Sequence, residues 1–454
     1  MSVTASQIAS AVLERQASAR ETAEQALARI AAARHLNAVV TIDPERTYAE
    51  ADAVDARVAV GEQLPLAGVP IVVKDNIWVE GWRITQGSRL FTDFIAPEDA
   101  IAIARVRRAG AVIVGIGATS EFACKGVTTS LLYGPTRHPL DQQLTPGGSS
   151  GGPAAAVAAG LVPLAIGTDA GGSSRRPPAH VGVVGFKPSY GAIPYGPGFA
   201  EPFWRISVIA PIAADVADAR LAFEVMAGAD PRDPDAFDVA AADQEKPLRV
   251  TFSPRLGLDV AVDHEVSAGL QQAVARLRAS GMTIEDKNPI WPAGLAEDAV
   301  MPLQHAGLAA LYGEGFRSDP TQFDPDIAKQ IERGLGLSGA DVARAMEAST
   351  QIARAFAAFF TAVDVLLAPT VPCVAWPFTQ LGPAEIGGKP AMPRAHAVFT
   401  PYANHAGVPA ISIPCGTNSQ GLPFGLQLIA ARGRDRMLLD VAARAERVLL
   451  GSFE

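Results

Sequence analysis

The chain has 454 residues, and its 38 Lys and Arg against 47 Asp and Glu give a formal net charge of −9 and a pI of about 5.4. A protein that binds nucleic acid directly needs a basic face, and the clusters here, Arg107-Arg108 and Arg175-Arg176, are only pairs, so that class is set aside. Charged residues at 19% and hydrophobic residues at 48% exclude a disordered chain and suit a large globule with a substantial core.

In chain order, the first 35 residues alternate apolar residues with Arg and Glu at helical spacing, and Ser18 with Glu21 has the form of a capping box. This predicts two amphipathic helices. AVVTI (38–42) and VPIVV (69–73) read as strands, the second running into Lys74-Asp75-Asn76. A helix is expected over 98–108, stopped at Gly110, then a strand at 111–116. The pattern continues with a helix at 153–159, strands at 164–168 and 181–186, a helix at 216–226, a strand at 248–252 and a helix at 263–279. Residues 285–340, rich in Pro, Gly and Asp, read as irregular. A helix at 341–360 and strands at 363–369, 410–414 and 424–430 follow. Strands alternating with helices predict an α/β fold: one large domain with a mixed, substantially parallel central sheet covered by helices. Within a single domain of 1–454, residues 1–60 would form an N-terminal helical segment, 70–190 the catalytic core, and 190–400 a variable region that shapes the substrate pocket.

Cys124, Cys373 and Cys415 lie far apart with no CxxC pair, which implies no disulfide scaffold and is compatible with a reducing cytoplasm. The segment MSVTASQIASAVLERQ has no basic stretch followed by an apolar run, so no signal peptide is read there and a cytoplasmic location is expected. Residues 142–168 carry no charge over 27 positions, long enough to raise the question of a membrane span. Glycines and Pro146, Pro153 and Pro163 interrupt them, and buried protein interior is the reading taken. No membrane association is expected.

Several motifs lead nowhere. GIGATS (115–120) lacks the third glycine of a dinucleotide fingerprint, and His35, His138, His180, His264, His305, His396 and His405 form no HxH or HExxH pair. No metal or organic cofactor is expected. The informative region runs from PGGSSGG (146–152) to GTDAGGSSRRPPAH (167–180), with GGSS repeated after 24 residues. Glycines around paired serines allow tight turns whose amide N–H groups converge, and such clustered donors can hold a developing oxyanion. Each turn alone is more often structural. GGSSG also fits the G-x-S-x-G elbow of α/β-hydrolases, with His405 as the late histidine such a triad would need. Lys74 offers a different base. A serine hydroxyl is a weak nucleophile until a base takes its proton, and a lysine becomes one when burial or positive neighbours lower its pKa.

GVPIVVKDN, PGGSSGG and GTDAGGSSR resemble the three catalytic segments of the amidase signature family, in the family's order and spacing. Similar stretches extend over nearly the whole chain, including GATSEF, YGPTRHP, GVVGFKPSYG, NHAGVPAISIPCG and PFGLQLIA, and thin out between 195 and 395. The resemblance implies a Ser, cis-Ser, Lys triad with Ser173 as nucleophile, Ser149 as the bridging serine after a cis Gly148-Ser149 bond, and Lys74 as base. It also implies an oxyanion hole from the backbone N–H groups of Ala170, Gly171, Gly172 and Ser173, with Ser150 and Ser174 in supporting positions. Such an enzyme cleaves a small-molecule carboxamide through a seryl acyl-enzyme.

Arg175 fits the family's common GGS-x-R pattern, and Arg176 adds a cation three residues beyond Ser173. Malonamidase-like members carry an arginine at that offset, where it engages a substrate carboxylate, so an acidic amide is expected; a structural ion pair for one or both arginines stands beside it. SVIAPIA (207–213) departs from the family's DTxGPxA form. The alternatives are the glutaminase subunit of a tRNA-dependent amidotransferase, a noncatalytic binding or assembly subunit, and the His405-dependent hydrolase. Tyr133, Tyr195, Phe203 and Trp204 are candidate pocket aromatics. Oligomeric state is not readable; a homodimer is the common outcome for soluble enzymes.

Overall fold

The computed structural model describes residues 3–241, 247–293, 295 and 298–451. Its centre is an 11-stranded sheet made of β1 (Val39–Thr41), β2 (Pro70–Lys74), β3 (Val112–Gly117), β4 (Leu164–Asp169), β5 (Val184–Lys187), β6 (Val208–Ala213), β7 (Val250–Phe252), β8 (Ile284–Asp286), β9 (Val365–Pro369), β10 (Ala410–Thr417) and β11 (Pro423–Ala430). The spatial order is β1-β3-β2-β4-β6-β5-β10-β11-β9-β7-β8. Pairing is parallel through β3-β2-β4 on one flank and β9-β7-β8 on the other. It is antiparallel through the middle, from β4 across β6, β5, β10 and β11 to β9. This is the expected single α/β domain with a mixed sheet. Strands β2, β3 and β4 are buried along their whole length, as strands covered on both faces must be, which is why they read as unbroken apolar runs.

The N-terminal helices Ala5–Leu13 and Ala19–Ala32 form where periodicity places them, and Ser18 and Glu21 make the capping box. The uncharged stretch becomes a loop, the buried helix Gly151–Ala158, and β4. Its small side chains let that helix lie close to the sheet. Among the described residues no helix is long and apolar enough to cross a membrane.

Residues 285–340 depart from expectation. They contain the helices Met301–Ser318 and Pro325–Leu335; residues 294, 296 and 297 of that stretch lie outside the described ones. The glycines that read as breakers are places of close approach: a Cβ at Gly307 would lie 2.2 Å from Pro202 O, and one at Gly334 2.0 Å from His305 O. The hairpin packs on a small cluster of its own, Phe122, Cys124, Leu308, Phe323, Ile327 and Ile331, with Phe122 stacked on Tyr312 and a buried Lys125–Asp324 ion pair at 2.6 Å. The helix Arg176–Val181 was not among the expected elements; its Pro177 and Pro178 sit in the first turn, where proline loses no hydrogen bond. SVIAPIA, the departure noted above, is β6, paired along its length with β4.

Candidate active site

The site forms where β2 and β4 end side by side. Their parallel register sets Val73 opposite Ile166, which brings Lys74 to Thr168. Lys74 is 0% exposed, and its Nζ donates to Thr168 Oγ1 at 2.8 Å and to Ser149 Oγ at 2.8 Å. Asn76 Nδ2 donates to the same threonine at 3.1 Å. Burial is the largest influence on the lysine and pulls its pKa down to about 7, while Glu201 and Asp169 act in the opposite direction.

Ser149 is fully buried and follows a cis Gly148–Ser149 peptide bond. Thr128 pins this turn: its Oγ1 lies 2.9 Å from Gly147 O and 3.2 Å from Ser149 O, and accepts from Gly151 N at 2.9 Å. The neighbouring serines form a separate pair. Ser150 Oγ and Ser174 Oγ lie 3.2 Å apart, and both donate to Thr168 O. They tie the two glycine turns together behind the site.

The second turn is anchored by Asp169 and Arg175. Asp169 accepts from Gly172 N at 2.8 Å and Ser174 N at 3.1 Å, and its two oxygens take Arg175 Nη2 and Nε, each at 3.0 Å. The remaining Arg175 donors reach Thr400 O, Gln427 Oε1 and Asn404 Oδ1. Burial works against the Asp169 charge, but Arg175 outweighs it and holds the carboxyl well below its usual range. Arg175 is therefore the structural half of the arginine pair.

These bonds also revise the expected oxyanion loop. The Gly172 N–H is committed to Asp169, so Gly172 shapes the loop and adds no free donor. Among the described residues, the N–H groups of Ala170, Gly171 and Ser173 have no backbone or side-chain partner. Gly172 has φ +108, and a Cβ there would fall 2.0 Å from Thr400 Oγ1, so only glycine fits.

Ser173 is 6% exposed and faces a pocket that it shares with Ala170, Gly171 and Arg176. The pocket wall adds Ala123–Gly126, Phe203, Trp204, Gln304 and Arg394. Its volume is about 60 Å³, far below the ~300–1,000 Å³ of pockets for drug-sized ligands. Of the other candidate aromatics, Tyr133 bonds Thr85 and Tyr195 bonds Glu201. His405 lines the pocket but pairs with Ser349 Oγ at 2.9 Å. Neither Ser149 nor Ser150 hydrogen-bonds a histidine among the described residues, so the His405-dependent reading loses its geometry. No group of His, Cys, Asp and Glu among the described residues is arranged to hold a metal ion.

Thr168, Asn76 and Asp169 were missed by sequence reasoning. Their only signal was position, at the ends of the same strands as the residues it found.

A family model described as Amidase matches residues 21–439. The chain is 36% identical to a glutamyl-tRNA(Gln) amidotransferase subunit of Prochlorococcus marinus (strain MIT 9303), over 95% of this chain and 94% of the relative. A bacterial aryl acylamidase of the amidase signature family superposes with a TM-score of 0.90 at 28% identity, covering 98% of this chain and 96% of the other. A vestigial protein complex described as revealing the evolutionary origins of an s-triazine catabolic enzyme superposes at 0.87 and 31% identity, covering 98% of each chain. The chain belongs to the amidase signature family and is a hydrolase of carbon–nitrogen amide bonds.

Proposed function

We propose that this chain hydrolyses a small carboxamide to a carboxylate and ammonia or an amine through an acyl-enzyme on Ser173, with Ser149 as relay and Lys74 as base. The observation that carries this reading is Lys74 Nζ at 2.8 Å from Ser149 Oγ in a buried site whose accessible serine, Ser173, faces the pocket. In its neutral form Lys74 takes the Ser149 proton while Ser149 takes that of Ser173. Ser173 Oγ then adds to the amide carbon. The carbonyl oxygen gains charge beside the N–H groups of Ala170, Gly171 and Ser173, and preorganised donors of this kind stabilise the transition state. The relay returns its proton to the leaving nitrogen, the C–N bond breaks, and water repeats the sequence on the ester. Arg176 in the pocket wall supports an acidic group on the substrate, since an arginine fork suits a carboxylate, and the small volume supports a short one.

Mass spectrometry after a fluorophosphonate probe tests the assignment. Label on Ser173, absent in Ser173→Ala, is expected; label on Ser149 or Ser150 would overturn it. The similarity to glutamyl-tRNA(Gln) amidotransferase subunits supports a second reading, glutamine hydrolysis on behalf of a partner protein. Ammonia release from short carboxamides by the isolated chain favours the first reading. Release from glutamine alone, and only with a partner, favours the second.

A further inference from the structure

Arg176 is 6% exposed and lines the pocket beside Ser173. Its backbone is fixed by its N–H, which donates to Gly172 O at 2.8 Å. Its guanidinium is packed against the loop that carries the nucleophile: a Cβ added to Gly172 would lie 2.9 Å from Arg176 Nε. The outer end is held by a distant part of the chain, where Arg176 Nη1 meets His396 Nδ1 at 3.0 Å. A guanidinium has donors only, so the imidazole nitrogen must accept, which places the ring's single proton on Nε2.

The ring has little freedom to leave this position. His396 is 3% exposed; one face packs on Trp376 with centroids 4.7 Å apart. Its edge abuts Gly126, where a Cβ would fall 2.2 Å from Cε1 and 2.4 Å from Nε2. A larger residue at 126 would push the ring away from Arg176. The imidazole meets Arg176 as a neutral acceptor, whereas Asp169 meets Arg175 as a carboxylate through two hydrogen bonds. Burial, Arg176, Arg394 and His180 all disfavour a charged His396.

We propose that His396 is a positioning residue: it holds the Arg176 guanidinium in the wall of the pocket that Ser173 shares, where a substrate carboxylate would meet it, and so sets the preference for acidic amides. This rests on the carboxylate reading of Arg176 given above.

The test compares a short carboxamide bearing a terminal carboxylate with its methyl ester. His396→Leu is expected to raise KM for the carboxylated amide about tenfold more than for the ester, the scale of one hydrogen bond to a charged group, with kcat less affected than KM. His396→Asn, whose Oδ1 can replace Nδ1 as acceptor, should recover most of that difference. Should His396→Leu fail to fold, Gly126→Ala displaces the ring and carries the same expectation. Equal losses on both substrates, or no recovery by His396→Asn, would overturn the positioning role. Arg176→Ala separates the two ideas. Equal losses on both substrates in Arg176→Ala would reject carboxylate recognition itself. Selective loss in Arg176→Ala without selective loss in His396→Leu would reject only the role of His396.

Discussion

The floor and the wall of the pocket treat adjacent arginines in opposite ways. Arg175 points into the floor, is 0% exposed, and spends its donors on Asp169, Thr400, Gln427 and Asn404. Arg176 turns into the wall and meets a neutral histidine. A buried cation paired with a protein carboxylate in the interior is part of the scaffold; one that lines the pocket is placed to meet a ligand. The pair in the sequence thus divides into a residue that helps anchor the second glycine turn through Asp169 and a residue that lines the pocket.

Substitutions can break this division, beginning with the floor. Ser173→Ala and Lys74→Ala should each lower kcat by about 10³-fold or more, since relay members act as a unit; steady-state rates on a short carboxamide check this, and a loss under tenfold would contradict the assigned chemistry. Arg175→Met should act on folding, because it removes the paired cation from the buried Asp169 carboxylate. A loss of about 3–5 kcal/mol is expected, read from urea unfolding. Arg176→Ala should leave the unfolding midpoint close to that of the parent and instead raise KM for carboxylated amides, by about tenfold. If Arg176→Ala destabilised the chain as much as Arg175→Met, the contrast between floor and wall would collapse.

The smallest expected effects concern pH. Lys74 is lowered from 10.5 to about 7, so its neutral form fills as pH rises through 7, and kcat/KM should climb with an acid limb near that value. Between about 7 and 10.5 the unfolded chain carries the lysine proton and the folded chain does not. Stability therefore increases with pH through this window as far as Lys74 is concerned, and its burial penalty is fully present below 7. Glu201, itself pushed up to about 7 chiefly by burial, raises the Lys74 pKa when charged. Glu201→Gln should move the acid limb to lower pH. A profile flat from pH 6 to 8 would contradict a titrating base.

Much of the fold was legible in the residues themselves, and so were the residues that the structure gathers at the candidate site. Apolar runs ending in Lys74 and Thr168 marked strands because both faces of that part of the sheet are covered. The glycine-serine turns marked Ser149 and Ser173 because tight turns are written in local sequence. Pocket-wall elements were less legible: the helix Met301–Ser318 buries few of its residues and bends no clear period into the sequence, and its glycines serve packing.

What sequence pointed to by itself was the set of candidate reacting groups, since residue type and short spacing encode turns, strands and hydroxyl chemistry. Offset from Ser173 pointed to Arg176 through the family resemblance, and tertiary structure supplied the partners of each arginine. Thr400, Gln427 and Asn404 approach Arg175 from 225, 252 and 229 residues away, and His396 approaches Arg176 from 220. The side chain's direction out of the first helical turn and the segments brought in from far along the chain determine which partners each arginine meets. No local pattern in Arg175-Arg176 names those distant partners.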